Sequence, residues 1–380
     1  MKPLYAPLLA TLILPAAFAQ HSDCRQSWMP PDAPAFCPFE PEPSLPEART
    51  YHAVTNAGKN VYVAGGYQFT AATGVVTYYN SVLLSRVGAN GRLGAWSVEP
   101  AFATARAGTA LAQAGNCLFL GGGSSSTPTS LNYYDDVQFA RIQANGRLSA
   151  WSTSPARLKT PRSNHSLLAI AGEQGTFLYA VAGVTQIGAD TVHLDTVEVA
   201  KVGADCALGP WQAANFHMKG GRSSPQALAV RKHIVTIGGW GDLDLHDVYD
   251  DVQVAAPRPD GTLAPWQTSP ARLTSGLYGH ASVFVPSPQG PQAPLLLTVG
   301  GQPGTGAYAN WINYTYVQRN ESLPDALGRW RIAPTGKLPN GRAGLGAVEV
   351  DGRLFVIGGN DAAGVYYRDV LSARFDAGRP

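Results

Sequence analysis

Short apolar runs recur along the whole chain, separated by Gly, Asn, Asp and Pro. The stretch 137–165 shows the unit: an apolar run, the pair Asn145-Gly146, a second run ending at Trp151, a loop containing Pro, and an Arg-x-x-His step into the next run. Asn-Gly between two apolar runs favours a tight hairpin, because a type I′ turn needs positive φ at both central residues. The pattern predicts an all-β chain of short strands.

Three marks repeat in one order and define an internal repeat. The first is Leu-x-x-Trp, which ends at Trp96, Trp151, Trp211, Trp266 and Trp330. These Trp residues stand 55, 60, 55 and 64 positions apart. The second mark is a Gly doublet after an apolar run, at Gly65, Gly122, Gly238, Gly300 and Gly358, with Ala182-Gly183 as a variant. The third is a strand that opens on a Val, at Val82, Val137, Val197 and Val370. A fixed order of this kind is typical of a repeat architecture.

Each repeat contains four predicted strands, and the six Gly doublets predict six units. Four strands at this period indicate a propeller blade, so we expect a six-bladed β-propeller. The last repeat lacks its fourth strand, whereas Trp28 stands in an isolated strand-like segment near the amino terminus. We therefore predict that the segment around Trp28 completes the last blade, with a Cys24–Cys37 disulfide beside it. The alternative is that the first forty residues form a tail.

The doublets, a Tyr near the Val strand (Tyr79, Tyr134, Tyr249 and Tyr367) and the Trp at the end of each blade resemble the kelch repeat. The Asn/Asp-Gly-x-Leu-x-x-Trp ending resembles bacterial exported kelch proteins. The resemblance covers residues 22–378, and it implies a kelch-type propeller related to the galactose oxidase central domain and to sialic-acid mutarotases. It says little about function, since propellers of this kind include enzymes, adaptors and scaffolds.

The amino terminus predicts export. Residues 1–19 read as a signal peptide, with Lys2, an apolar stretch and the cleavage site Ala17-Phe18-Ala19, which leaves 20–380 as a single propeller domain. Within that domain, 20–47 would hold the closing strand and a Pro-rich linker. We predict a periplasmic or secreted protein without a membrane span, in which disulfides are permitted. The pairing of Cys117 and Cys206 stays open.

The low charge of the chain limits the classes of partner that it can bind. Charged residues make up 14% of the chain, the formal net charge is +2, and no Lys/Arg run occurs, which argues against nucleic acid. No Gly-rich phosphate loop, Cys-x-x-Cys pair or His-Glu-x-x-His motif is present, so no cofactor is expected. The Tyr/His/Cys cluster of a copper-radical oxidase cannot be assembled either.

An arginine register is the first candidate site. One Arg precedes the inner strand in every blade but the fifth, which has Leu277: Arg49, Arg106, Arg162, Arg222 and Arg342. In a propeller these positions converge on one face, where they could bind a carboxylate ligand. The kelch resemblance implies an acidic-peptide pocket at the same place. The alternative is that each Arg pairs with a blade carboxylate, the candidates being Asp135, Asp136, Asp250, Asp251 and Asp369.

Two further sets of side chains follow the same register. His52, His165 and His280 stand three positions beyond it, but they come from alternate blades, so we interpret them as packing residues and expect no metal. The loops after the Gly doublets carry Tyr67, Trp240 and Trp311, beside Phe69, Tyr78, Tyr308, Tyr314 and Tyr316. Exposed aromatic rings suit sugar stacking or a protein interface, and the alternative is that they pack beneath their own loops.

The sequence thus predicts an exported propeller that binds an anionic, carbohydrate or protein ligand on a face lined by Arg and aromatic residues. The resemblance also implies a sugar mutarotase or epimerase, which would need a carboxylate acid or base on the pocket face. A third hypothesis is a scaffold subunit of an envelope complex that uses its blade edges. The sequence does not decide whether the protein is an enzyme.

Overall fold

Six antiparallel sheets, arranged around one axis, form the blades of the computed structural model of the chain; five have four strands and the sixth has five. The structure describes residues 24–241, 247–286, 294–319 and 321–377. In each of the first five blades the first strand of the sheet lies innermost and the later strands follow outward in order of sequence, whereas in the sixth the amino-terminal strands lie outermost. The predicted all-β, six-bladed propeller is therefore confirmed.

The strands are short, and their bounds follow the repeat. Two strands precede the first blade: β1 (Ala35–Phe36) and β2 (Glu40–Glu42). Blade 1 contains β3 (Ala53–Ala57), β4 (Asn60–Ala64), β5 (Tyr67–Thr70), β6 (Val75–Tyr78), β7 (Val82–Arg86) and β8 (Ser97–Glu99). Blade 2 contains β9 (Ala110–Ala114), β10 (Cys117–Gly121), β11 (Ser124–Thr127), β12 (Ser130–Tyr133), β13 (Val137–Arg141) and β14 (Ser152–Thr153). Blade 3 contains β15 (Ser166–Gly172), β16 (Gly175–Val181), β17 (Val184–Ile187), β18 (Asp190–His193), β19 (Val197–Val202) and β20 (Gln212–Ala213).

Among the described residues, blades 4 and 5 have four strands each, and blade 6 has three of its own, which β1 and β2 complete. Blade 4 contains β21 (Gln226–Val230), β22 (His233–Ile237), β23 (Val252–Ala255) and β24 (Gln267–Thr268). Blade 5 contains β25 (Ala281–Val285), β26 (Leu295–Val299), β27 (Ile312–Tyr316) and β28 (Arg331–Ile332). Blade 6 contains β29 (Gly346–Val350), β30 (Arg353–Ile357) and β31 (Val370–Asp376). In blades 1 to 3, the pairs β5–β6, β11–β12 and β17–β18 form separate two-stranded hairpins. A 3₁₀ turn spans Ala204–Cys206.

The hydrophobic core is divided among the interfaces between neighbouring blades. Six clusters of buried apolar side chains occur, and each joins two adjacent blades. Phe119 of blade 2, for example, packs in one cluster with Trp211 of blade 3. The Tyr62 hydroxyl crosses from blade 1 to blade 2 and donates a 2.6 Å hydrogen bond to the Gly146 carbonyl. Burial between blades thus fixes the ring of sheets.

The ring is closed by the amino-terminal segment, but not through Trp28. Strands β1 and β2 both pair antiparallel with β31 of the last blade. Phe36 is buried there and stacks on Phe375 with ring centroids 5.0 Å apart. Trp28 is 65% exposed, so its assignment to the closing strand is wrong. The prediction that an amino-terminal strand completes the last blade is confirmed. The pairing covers a sheet edge that would otherwise be open.

Strand β2 has the same contacts as the outer strand of an intact blade. Oε2 of Glu42 accepts from the Leu93 amide at 3.1 Å, and its Oε1 lies 2.7 Å from Nε of Arg92. At the end of blade 1, Glu99 accepts from the Leu148 amide at 2.8 Å in the same way. Glu42 therefore connects blade 6 to blade 1 as Glu99 connects blade 1 to blade 2.

A ring of six backbone hydrogen bonds encircles the propeller axis. One residue of each blade donates its amide to the carbonyl of the preceding blade, at 2.8 to 3.2 Å. Tyr51 of blade 1 donates to Gly344 of blade 6, which closes the circle. All six residues have positive φ, between 49° and 61°. We call them the axial ring: Tyr51, Gly108, Asn164, Ser224, Gly279 and Gly344.

Two disulfides cross-link the described chain. The predicted Cys24–Cys37 bond ties the amino-terminal segment together, and a Cys117–Cys206 bond joins blade 2 to blade 3. Both are consistent with an extracellular or periplasmic location. Within the described ranges, no helix has the length and apolar character needed to cross a bilayer. The predicted signal peptide, residues 1–19, lies outside the described residues.

Candidate functional site

The arginine register and the loops after the Gly doublets meet on one face. Isolated bridges join the two segments in every blade, for example between Thr50 and Tyr67 and between Ser223 and Trp240. The axial ring lies at the centre of the same face, since its residues directly follow the first partner of each bridge. We call this surface the ring face. The sequence-based prediction that the two segments share a face agrees with this geometry.

The five arginines of the register are enclosed, with 0 to 1% of each residue exposed. Each guanidinium group donates to a carbonyl at the Gly doublet of its own blade and to a carboxylate. Arg106 is representative: its Nη1 lies 2.5 Å from Oδ1 of Asp136 and 3.1 Å from the Gly122 carbonyl. It also stacks over Tyr134, 3.9 Å from the ring centroid. Such a network orients the loop and the blade relative to each other.

These contacts favour the alternative in which the arginines of the register have a structural role, and ligand binding by them stays a prediction. The guanidinium groups do not reach solvent, and each of them is paired with a carboxylate. The partners, in register order, are Glu47, Asp136, Glu198, Asp251 and Asp369. Asp135 and Asp250 instead pair with the exposed Arg157 and Arg272. Removing the guanidinium of Arg106, Arg162 or Arg222 would leave a largely buried carboxylate without its partner, which gives these arginines a structural role.

Blade 5 replaces the whole ion pair with apolar residues. Leu277 occupies the arginine position and is fully buried. Trp311 directly precedes strand β27, at the place of the paired aspartates Asp136, Asp251 and Asp369 in blades 2, 4 and 6. Its side chain packs against the buried cluster that contains Leu277. The partly buried Trp311 therefore packs against the blade interior, and its ligand-binding role stays a prediction.

Partly exposed tyrosines surround the axis on the ring face. The rings of Tyr51 and Tyr67 stack with centroids 6.3 Å apart and an interplanar angle of 11°. Tyr67 also meets Tyr366 edge-on at 5.8 Å. The rings of Trp240 in blade 4 and Tyr278 in the adjacent blade 5 have centroids 5.8 Å apart. These five residues form the aromatic cluster, to which the sequence contributed Tyr67 and Trp240.

Two phenols of the aromatic cluster, those of Tyr51 and Tyr278, are uncharged at neutral pH. Burial raises the pKa of Tyr51 above its ordinary value, and the phenols of Tyr278, Tyr308 and Tyr366 raise it further. Burial also raises the pKa of Tyr278 to about 12. The phenols therefore remain protonated and can each donate a hydrogen bond. Rings that present an apolar surface and a hydroxyl suit ligands with both characters.

Hairpins from blades 1 to 3 lie beyond the Gly doublets on the same face. They carry exposed apolar side chains at Phe69, Val76, Leu131 and Ile187. The first two hairpins touch through a 2.8 Å hydrogen bond between the Tyr78 and Ser126 hydroxyls. In the three hairpins, 67–78, 124–133 and 184–193, Asp190 is the single Asp, Glu, Lys or Arg. This part of the face thus combines hydroxyl groups with apolar side chains and little charge.

One carboxylate stands beside the aromatic cluster. Oδ2 of Asp361 accepts a 2.7 Å hydrogen bond from the Tyr367 hydroxyl, and Oδ1 accepts from the Val365 amide at 2.9 Å. Partial desolvation acts to raise the pKa of Asp361, but these hydrogen bonds outweigh it and lower the pKa below its ordinary value. Asp361 is therefore ionised at neutral pH.

The three histidines of the register are buried packing residues. Cβ of His52 lies under Gly66 of its own blade, and Cε1 of the same ring faces Gly358 of the preceding blade. Burial lowers the pKa of His52, His165 and His280 to about 3, with a further contribution from the neighbouring arginine at the first two. Their imidazoles are neutral at physiological pH. No group of three metal-ligating side chains occurs among the described residues.

Comparison with solved structures supports the propeller fold. The structure titled "Structure of YjhT" superposes with a TM-score of 0.61 at 16% sequence identity. The match covers 87% of this chain and 95% of that chain. At this identity the similarity concerns the fold alone. No protein-family model and no curated protein matches the sequence.

Sequence analysis missed three members of the aromatic cluster. Tyr51 and Tyr278 stand beside the arginine register rather than in the loops after the Gly doublets, and Tyr366 follows the doublet of blade 6 by seven residues. A signal was present, because an aromatic residue two positions after Arg49 occupies the point nearest the axis. It becomes informative only once the axial ring is known.

Proposed function

We propose that this chain is an exported kelch-type propeller that binds carbohydrate on the aromatic part of its ring face. Export rests on the predicted signal peptide, with residues 20–380 as one domain, and agrees with the two disulfides. The observation that carries the proposal is the aromatic cluster, in which partly exposed rings surround the axis beside hairpins rich in Ser and Thr.

The chemistry of the face favours a neutral sugar. The apolar side of a pyranose can stack on an aromatic ring, while its hydroxyls exchange hydrogen bonds with phenols and serines. Small polar groups also occur on the ring face, where the Ser124 and Ser163 hydroxyls are 3.0 Å apart. An anionic ligand is less favoured, because the guanidinium groups of the register are already paired with carboxylates.

The rival hypothesis of a sugar mutarotase or epimerase requires an acid or base beside the sugar. Asp361 is the carboxylate at the cluster, and its lowered pKa suits a base rather than an acid. Incubating the protein with the α-anomer of a sialic acid and following anomer exchange by NMR separates the two functions. Exchange above the spontaneous rate that is lost in Asp361→Asn supports the enzyme.

Binding of neutral oligosaccharides tests the proposal directly. Maltohexaose, cellohexaose and chitohexaose are titrated into the purified chain, with sialyllactose as an anionic comparison. We expect at least one neutral sugar to bind, and Tyr67→Ala and Trp240→Ala each to weaken it tenfold or more. Trp28→Ala is the matched control, because this exposed aromatic residue lies on the amino-terminal segment. The proposal fails if none of the neutral sugars binds, or if all three variants behave alike.

A further inference from the structure

A cavity of about 430 Å³ runs along the propeller axis beneath the axial ring. The innermost strands of all six blades line it. Its inner end lies against the axial ring, where a smaller cavity of about 80 Å³ adjoins it and shares residues such as His52 and His165 with it. It opens on the opposite face, among partly or fully exposed side chains of the innermost strands. These residues are Asn56, Gln113, Ala169, Ala229, Phe284 and Glu349.

The cavity has a neutral polar floor and an apolar wall. At the floor, the imidazoles of His52 and His165 are uncharged because burial holds their pKa near 3. The wall includes Leu111 and Leu167, which are both buried. Four residues of an extended strand separate floor and mouth, a depth of roughly 13 Å. This length and volume suit a small molecule with an apolar body.

The mouth carries a carboxylate with a free oxygen. Oε1 of Glu349 accepts a 2.6 Å hydrogen bond from the Gly352 amide, and Oε2 has no hydrogen-bond partner among the described residues. Glu349 is the one carboxylate among the residues that line the cavity. The adjacent Asp351 lies outside it and is paired with Lys59 at 2.8 Å. No described cation therefore offsets the charge of Glu349.

Inside the wall, the Ser282 hydroxyl provides a second unsatisfied group. It is 7% exposed, lines the cavity and has no hydrogen-bond partner among the described residues. A buried hydroxyl without a partner is costly, so native structures usually supply one from water or a ligand. The cavity thus offers both a negative charge and a hydrogen-bonding group to an occupant.

We propose that the axial cavity is a second binding site, specific for a small organic amine whose ammonium group pairs with Glu349 while its apolar part lies along the channel wall. The site is independent of carbohydrate binding on the ring face. Partial burial penalises the charged carboxylate and raises the pKa of Glu349, and Asp351 adds to this effect. An ammonium ion beside it would favour the charged form, whereas an anion would be repelled.

Three molecules of one shape test the charge preference. Cyclohexylamine, cyclohexanol and cyclohexanecarboxylate are titrated into the disulfide-intact chain at pH 7.5, with binding followed by saturation-transfer NMR. We expect the amine to bind at least tenfold more tightly than the alcohol, and the carboxylate not to bind. In Glu349→Gln the amide oxygen can still accept from the Gly352 amide, so the turn is kept while amine affinity falls to that of the alcohol.

Two variants separate this result from a general surface effect. Glu173→Gln is the control, since Glu173 directly follows the innermost strand of blade 3 and does not line the cavity. It should leave amine binding unchanged. Ala229→Trp at the exposed rim should block the mouth and reduce amine binding tenfold or more, whether or not Glu349→Gln folds. Equal affinity for the three molecules, or unchanged amine binding in Ala229→Trp, would overturn the proposal.

Discussion

Replacing Arg106 by leucine tests whether the arginine register holds the blades together. The substitution removes both hydrogen bonds to Asp136, at 2.5 and 3.1 Å, and leaves that carboxylate buried with Gln138 as its remaining side-chain partner. Breaking one side of a buried ion pair costs about 3–5 kcal/mol. We expect a loss of this size at pH 7 in urea unfolding followed by tryptophan fluorescence.

The pH dependence of that loss identifies its cause. In the native chain, burial raises the pKa of Asp136, but the hydrogen bonds and charge of Arg106 outweigh it and hold the pKa below its ordinary value. The stabilisation from this pair is therefore constant between pH 7 and 5 and is lost only below about pH 4. Without the guanidinium, burial would raise the pKa of Asp136, so protonation at pH 5 should recover part of the lost stability.

A neighbouring pair supplies the control. Arg157 and Asp135 also form an ion pair, but both are largely exposed, so Arg157→Leu should cost at most about 1 kcal/mol. The reasoning is refuted if the two arginine variants lose equal stability, or if the loss in Arg106→Leu is the same at pH 5 and pH 7. Loss of ligand binding in Arg106→Leu at unchanged stability would instead restore a direct role in recognition.

Three other perturbations address closure, cross-linking and acid stability. Phe36→Ala should cost about 3–5 kcal/mol because the side chain is buried, whereas Trp28→Ala should stay within about 0.5 kcal/mol; urea midpoints compare them. Replacing Cys117 and Cys206 by serine opens a loop of 89 residues, and chain entropy predicts a loss of about 4–5 kcal/mol, measured as a lower unfolding temperature. Because the folded pKa of His165 is about 3, stability should fall as pH drops below about 6.5, by up to about 1.4 kcal/mol per pH unit; His165→Gln should have a shallower slope.

The blade count was predictable because backbone geometry demands glycine. Gly66 has φ of 92°, and a Cβ at this position would lie 2.8 Å from the Thr50 carbonyl oxygen. Similar close contacts occur at the second glycine of the other doublets, so this position leaves a mark in the sequence wherever a blade occurs. The fold class follows from that constraint.

The closing strand was predicted but assigned to the residues around Trp28, because the wrong feature of the repeat was matched. Trp96 precedes strand β8, and its indole donates to the Pro43 carbonyl of the amino-terminal segment. The outer strand is marked by the Glu-Pro pair that follows the Trp, and not by the Trp itself. Glu42 stands seven residues before Arg49, as Glu99 stands seven before Arg106. That spacing identifies strand β2, and no Trp is required there.

The candidate site was only partly predictable, for a physical reason. Members of the axial ring share a positive φ and a hydrogen bond, but their side chains range from Gly to Tyr. Side-chain patterns therefore do not reveal the ring, nor Tyr51 beside the axis. The arginines, in contrast, were located correctly in the chain, but their burial depends on carboxylates in other segments of each blade.

The axial ring also limits how the protein can be made and how it can evolve. Its bond from Tyr51 to Gly344 joins the first repeat to the last, so it can form only after nearly the whole chain has left the ribosome. On a nascent chain with five repeats, one N–H group and one carbonyl group of the axial ring have no hydrogen-bond partner. A gene duplication that added a seventh repeat would have to break one of the six bonds and widen the circle. The number of repeats is thus fixed by main-chain hydrogen bonds at the centre of the molecule. Among point substitutions, only a change to proline removes the N–H group that such a bond needs.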